Sequence, residues 1–134
     1  MTIRKITSCV GVFSACLAIS SAAIAEDNCS GYSISADSAH VLISDDHTLP
    51  FHLATGECHV IGSNSSECKW TDEDGDQWTE VSEWKGPGTE GTSRVISGTG
   101  KYTKALGGRS WWKRVRSGPI NVSVWGGYCP LADK

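Results

Sequence analysis

The chain of 134 residues carries 12 basic and 15 acidic side chains, and this acidic balance excludes a polycationic protein that binds nucleic acid through general phosphate neutralisation. Arg4 and Lys5 fall in the N-terminal leader, so the remainder holds 10 basic against 15 acidic residues, a formal charge of −5. Residues 26–90 hold 14 acids with only Lys69 and Lys85, whereas 91–132 hold Arg94, Lys101, Lys104, Arg109, Lys113, Arg114 and Arg116 and no acid, so charge is polarised along the chain.

Residues 1–25 have the form of a secretory signal peptide: a basic head at Arg4 and Lys5, an apolar run over 10–19 and the small-x-small site Ala23-Ile24-Ala25. The expected mature part is one domain over 26–134, secreted or periplasmic after cleavage near Ala25. No later apolar run approaches the roughly 20 residues a spanning helix needs, so no membrane span is expected. Phe13-Ser14-Ala15-Cys16 resembles a lipoprotein box with an unsuitable first residue, which makes lipidation at Cys16 the lesser alternative.

In chain order, residues 33–43 break at Asp37-Ser38 and suit one or two short strands. Residues 51–54 and 57–61 read as a strand interrupted by a bulge at Gly56, followed by a turn at Ser63-Asn64. Cys68, Trp70 and Asp72 share one face of the next strand. Trp78, Glu80, Ser82 and Trp84 share one face of its partner, with 72–76 turning between them. Residues 85–91 contain three glycines and a proline and form a loop. Strands follow over 92–97, 101–105, 110–115 and 120–125. No segment shows apolar residues at helical spacing over two turns. The expected class is all-β: an antiparallel eight-stranded β-barrel, with a β-sandwich as the alternative, because about eight short strands separated by turns suit either and closure removes exposed edges.

Four cysteines remain after the leader, Cys29, Cys58, Cys68 and Cys129, and an even count in a small exported domain reads as disulfides. A hairpin turning at Ser63-Asn64 sets Cys58 nearly opposite Cys68, which leaves Cys29 to pair with Cys129. The chain-entropy argument gives between about 4 and 5 kcal/mol for the long loop and about 3 kcal/mol for the short one.

Cys58…Cys68-x-x-x-Asp72-x-Asp74-Gly75-Asp76, followed by Gly98-Thr99-Gly100-Lys101-Tyr102 with Gly107-Gly108 behind, resembles small exported bacterial proteins of the allene oxide cyclase-like, or dirigent-like, barrel family. The likeness covers about residues 56–128 and implies an eight-stranded barrel with a central cavity. It carries over no working polar residue, and Lys104-Ala105-Leu106 departs from the small, glycine-containing step of the bacterial pattern.

Several constellations invite chemistry and have plainer readings. The carboxylates of Asp72-Glu73-Asp74-Gly75-Asp76 suit a hard cation, but the spacing is not that of an EF-hand and Asp-Gly is common hairpin chemistry. His40, His47, His52 and His59 put no close pair on one strand face. Gly98-Thr99-Gly100-Lys101 is not a phosphate loop, because Val95 stands where that loop needs glycine. Neither a metal nor a cofactor is expected. In Ser110-Trp111-Trp112-Lys113-Arg114-Val115-Arg116 neighbouring side chains point to opposite faces, so one tryptophan can face the core and the other solvent, and the basic run is expected to answer the acidic hairpin sooner than to form a binding surface. No serine or histidine stands out as catalytic. The expected function is therefore non-enzymatic binding of a small apolar or aromatic molecule by Trp70, Trp78, Trp84, Tyr102, Trp111 and Trp112. The alternatives are an allene oxide cyclase-like isomerase or cyclase working in an apolar cavity, and a protein that binds glycan or anionic polymer.

Overall fold

The computed structural model describes residues 27–45 and 49–130; the leader, its cleavage site, Cys16 and His47 lie outside the described residues. Eight strands follow one another: β1 (Cys29–Ala36), β2 (Ala39–Ser44), β3 (Leu53–Gly62), β4 (Ser65–Asp72), β5 (Gln77–Trp84), β6 (Glu90–Gly98), β7 (Arg109–Arg116) and β8 (Asn121–Tyr128). Each pairs antiparallel with the next. β8 pairs back onto β1, with Cys29 opposite Gly127 and Ser35 opposite Asn121, so the sheet closes into a barrel and not a sandwich. Closure satisfies the backbone groups that an open edge would expose.

Both expected disulfides form. Cys58 lies opposite Cys68 in the β3–β4 ladder with Cα atoms 4.1 Å apart, and Cys29 joins Cys129 at 5.9 Å. The second bridge ties the entry of β1 to the residue after β8, across the seam where the barrel closes.

The alternation of the strands sets which side chains face inward, but several run opposite to the usual sense. In β1, Ser33 and Ser35 face the lumen, while Tyr32 and Ile34 are exposed at 45% and 38%. In β8, Ser123 faces inward beside Trp125, and Val122 and Val124 take the outer positions. Ser82, Ser93 and Ser110 add further hydroxyls to the interior. The core is consequently concentrated at one end, in Leu49, Phe51, Ala54, Trp70, Trp78, Tyr102 and Ala105.

Three local expectations are corrected. Gly56 is not a bulge: β3 runs through it, and the irregularity lies between Val60 and Gly62. Residues 101–105 are not a strand, since Gly100–Lys104 is a 3₁₀ helix with Tyr102 N–H donating to Thr99 O and Ala105 N–H to Tyr102 O. The turn is tightened by Gly100, whose φ of +53° suits glycine and whose missing Cβ leaves room for the Asp76 carboxylate. Finally, the basic run of β7 pairs with β6 and β8 and makes no ion pair with the β4–β5 hairpin.

Candidate functional site

The two ends of the barrel differ. One end gathers the β2–β3 connection, the β4–β5 turn, the 3₁₀ helix and the Cys29–Cys129 bridge, and forms a floor. The other gathers the β1–β2, β3–β4, β5–β6 and β7–β8 turns. Between them lies a cavity of about 510 Å³, a size suited to a small organic molecule. Its lining is buried at the floor, where Leu49, Phe51 and Tyr102 stand, and exposed at the other end, where Val60 is 75% exposed, so that end is the mouth.

The floor is aromatic and latched by charge. The Trp78 ring centroid lies 5.1 Å from Phe51 and 4.6 Å from Tyr102, and Trp70 stacks on Trp78 at 6.1 Å. Such contacts contribute roughly 0.5–1.5 kcal/mol each beyond burial. Below them, Asp72 Oδ1 accepts from the backbone N–H of Asp74 (2.9 Å) and Asp76 (3.0 Å). Its Oδ2 accepts from Tyr102 Oη–H (2.8 Å) and pairs with Lys101 Nζ (2.8 Å). Lys101 also reaches Asp74 Oδ2 (2.7 Å) and Pro50 O (3.1 Å). Burial raises the Asp72 carboxyl, but the hydrogen bonds from Lys101, Tyr102 and Asp74, with the Lys101 charge, outweigh it and hold the group below its ordinary range. Lys101 is pushed upward, chiefly by Asp72 and Asp74. Tyr102 is raised by burial and then by Asp72. The acidic turn thus takes Lys101 as its cation, and among the described residues no group of His, Cys, Asp and Glu is arranged to hold a metal.

The walls explain why the lumen is not filled. An eight-stranded barrel is just wide enough for its own side chains, and indoles standing inward would close it. Here three indoles lie against glycines on a neighbouring strand. A Cβ on Gly56 would sit 2.5 Å from Trp70 Cε3, one on Gly91 2.7 Å from Trp112 Cζ2, and one on Gly31 2.7 Å from Trp125 Cζ2. Gly56 pairs with Trp70 and Gly91 with Trp112 directly opposite, and Gly31 pairs with Trp125 in the same way. The missing side chain gives the ring a flat bed on the wall, which spends its area on backbone and keeps the lumen open.

The lining is polar as well as aromatic. Ser82 and Ser93 Oγ atoms are 2.5 Å apart, and Glu80 and His40 face the same space. Removal from water pushes the Glu80 carboxyl from 4.5 up to about 7, against the pull of the nearby Trp70 and Trp78 indole N–H groups. The Trp70 N–H falls short of hydrogen-bond geometry, so its pull on Glu80 acts at longer range. Burial lowers the His40 imidazole, which is therefore neutral at physiological pH. Three buried donors have no hydrogen-bond partner among the described residues: Trp70 Nε1, Trp125 Nε1 and Arg114 Nε.

Of the residues singled out from sequence, the structure brings Trp70, Trp78, Trp84, Tyr102 and Trp112 to the cavity. Trp111 lies on the outer face, over Gly126, with Nε1 donating to Asp27 Oδ2 at 2.8 Å. Sequence reasoning missed Phe51, Glu80, Arg114 and Trp125 as lining residues. For Arg114 the signal was present in the alternation Ser110, Trp112, Arg114, which shares one face with the inward tryptophan. Compared with family models, with curated proteins and with solved structures, the chain matches none of them.

Proposed function

We propose that this is a binding protein of the allene oxide cyclase-like type, exported by its leader to an oxidising compartment, whose barrel holds one small aromatic molecule. The observation that carries the reading is the cavity of about 510 Å³, latched shut at the floor, open at the mouth and walled by indoles laid flat. Flat rings offer π-faces to a planar guest while the serines accommodate its polar edge. Two disulfides suit such a compartment, and among the described residues no helix is long and apolar enough to cross a membrane. Mass spectrometry of small molecules retained by the purified protein tests the reading. Wild type is expected to carry an aromatic compound that is lost in Ser33→Leu/Ser123→Leu, whose new side chains face each other across β1 and β8 inside the lumen. Equal retention by a folded double variant would place the guest elsewhere.

A second reading, an isomerase or cyclase, is favoured by Glu80 and His40 on the cavity wall, since a carboxyl poised near 7 can give or take a proton from an enclosed substrate. Binding of glycan or anionic polymer retains only the outward Trp111 with Lys113 and Arg116, because Trp112 faces the lumen.

A further inference from the structure

The cavity's hydrogen-bonding groups are unbalanced. Its fixed groups without partners are all donors: the indole N–H of Trp70, the indole N–H of Trp125 and the Nε–H of Arg114. Trp70 and Trp125 are 3% and 7% exposed, so neither N–H reaches bulk water, and a buried donor without an acceptor forfeits the hydrogen bond it had with water. An indole N–H cannot reverse its sense, and a guanidinium has no acceptor at all.

The candidate acceptors on the wall do not remove the imbalance. Ser82 and Ser93 satisfy each other, the Tyr102 hydroxyl is committed to Asp72, the Ser123 hydroxyl opposite Arg114 carries no charge, and Asp37, in the β1–β2 turn, makes no ion pair with Arg114. Glu80 lies opposite Cys68 in β4 and Val95 in β6, away from β7 and β8, and burial keeps it largely protonated below about 7. Arg114 makes no ion pair with any described carboxylate. In the β7–β8 ladder Arg114 stands opposite Ser123 and Trp112 opposite Trp125, so Arg114 and Trp125 are diagonal neighbours on one inner wall. That wall presents an uncompensated positive charge and an unpaired N–H, flanked by the Trp125 indole laid toward β1 and the Trp112 indole laid toward β6.

From this we infer that the guest is an aromatic acid bound as its anion, its ring against Trp112 and Trp125 and its acidic oxygens on the Arg114 guanidinium and the Trp125 N–H. The inference rests on the cavity-binding reading and adds the guest's charge and orientation. Charge-assisted bonds of this kind contribute roughly 1.5–3 kcal/mol, about a tenfold to hundredfold preference for an anion over a neutral compound of the same shape.

Two fluorescent probes with the same rings separate the possibilities: anilinonaphthalene sulfonate, an anion, and phenylnaphthylamine, which lacks the sulfonate. Titrated into the full chain, both are expected to bind, the anion at least about tenfold tighter. Arg114→Gln should bring the anion to the neutral probe's affinity and leave the neutral probe unchanged, whereas Arg114→Lys should keep part of the preference. Trp125→Phe removes the N–H together with part of the ring face, so it should weaken both probes, the anion by roughly twofold to tenfold more than the neutral one. Near-ultraviolet circular dichroism on each variant verifies that probes report on folded protein. Equal affinities for the two probes, unmoved by either Arg114 variant, would overturn the inference and leave cavity binding standing. If neither probe binds wild type, the cavity reading fails and this inference with it.

Discussion

Floor and mouth are built from the same kind of strand, yet they are held by different physics. At the floor the charged groups are matched, though the Trp70 N–H is not: Asp72 alone accepts from two backbone N–H groups, a tyrosine hydroxyl and a lysine ammonium. Along the β7–β8 wall a guanidinium and an indole N–H stay unmatched, and serines line the space. The difference teaches where stability and recognition reside in a small barrel. The satisfied end holds the fold; the unsatisfied wall has binding free energy still to realise.

Breaking the bridge at the floor should cost most, and the mid-wall bridge next. Cys29→Ser with Cys129→Ser opens a loop spanning 100 residues and is expected to remove about 4–5 kcal/mol, while Cys58→Ser with Cys68→Ser removes about 3 kcal/mol, both read by denaturant melts. Lys101→Met leaves the Asp72 carboxylate, whose side chain is 0% exposed, without its cation. A loss near 3 kcal/mol is expected, at the low end for a buried pair because the ammonium is 25% exposed. On the walls, Gly56→Ala drives a methyl into Trp70 and should cost roughly 1–3 kcal/mol, with the displaced indole reducing probe binding in the lumen.

The smallest effect sharpens the contrast through pH. Asp72 is depressed, so its contribution is present above its ordinary 3.8 and fades as pH falls; Lys101 is elevated, so its contribution is present below 10.5 and fades as pH rises. Glu80 has the opposite sense to Asp72. Raised from 4.5 to about 7, it makes the fold less stable as pH climbs through that window. Among the groups sharing its cavity, His40 is lowered by burial, so its contribution has the opposite sense and is lost as pH falls below its ordinary 6.5. Glu80→Gln should remove the loss of stability that Glu80 causes between about 4.5 and 7 and leave the Asp72-dependent fall at lower pH unchanged, measured by melting midpoint against pH.

Much of the fold can be read from residues. The turn at Ser63-Asn64 places Cys58 against Cys68, and the glycine-punctuated loops separate the strands where the structure does. The lumen is harder, because a period of two tells which residues share a face but not which face is inside. Tyr32 and Ile34 look like core residues by chemistry, yet Ser33 and Ser35 take the interior. The 3₁₀ helix is hidden for another reason: Tyr102 turns inward to meet Asp72, thirty residues earlier, and no local pattern encodes that partner. The glycine beds under the indoles depend on cross-strand register in the same way.

The Cys29–Cys129 bridge sets both ends of the folded chain side by side beneath the latched end. An affinity tag, a bead or a fused enzyme joined directly before Asp27 or directly after Pro130 therefore starts on the far side of the barrel from its opening. Immobilised protein should present every entrance outward and capture guests as readily as protein in free solution.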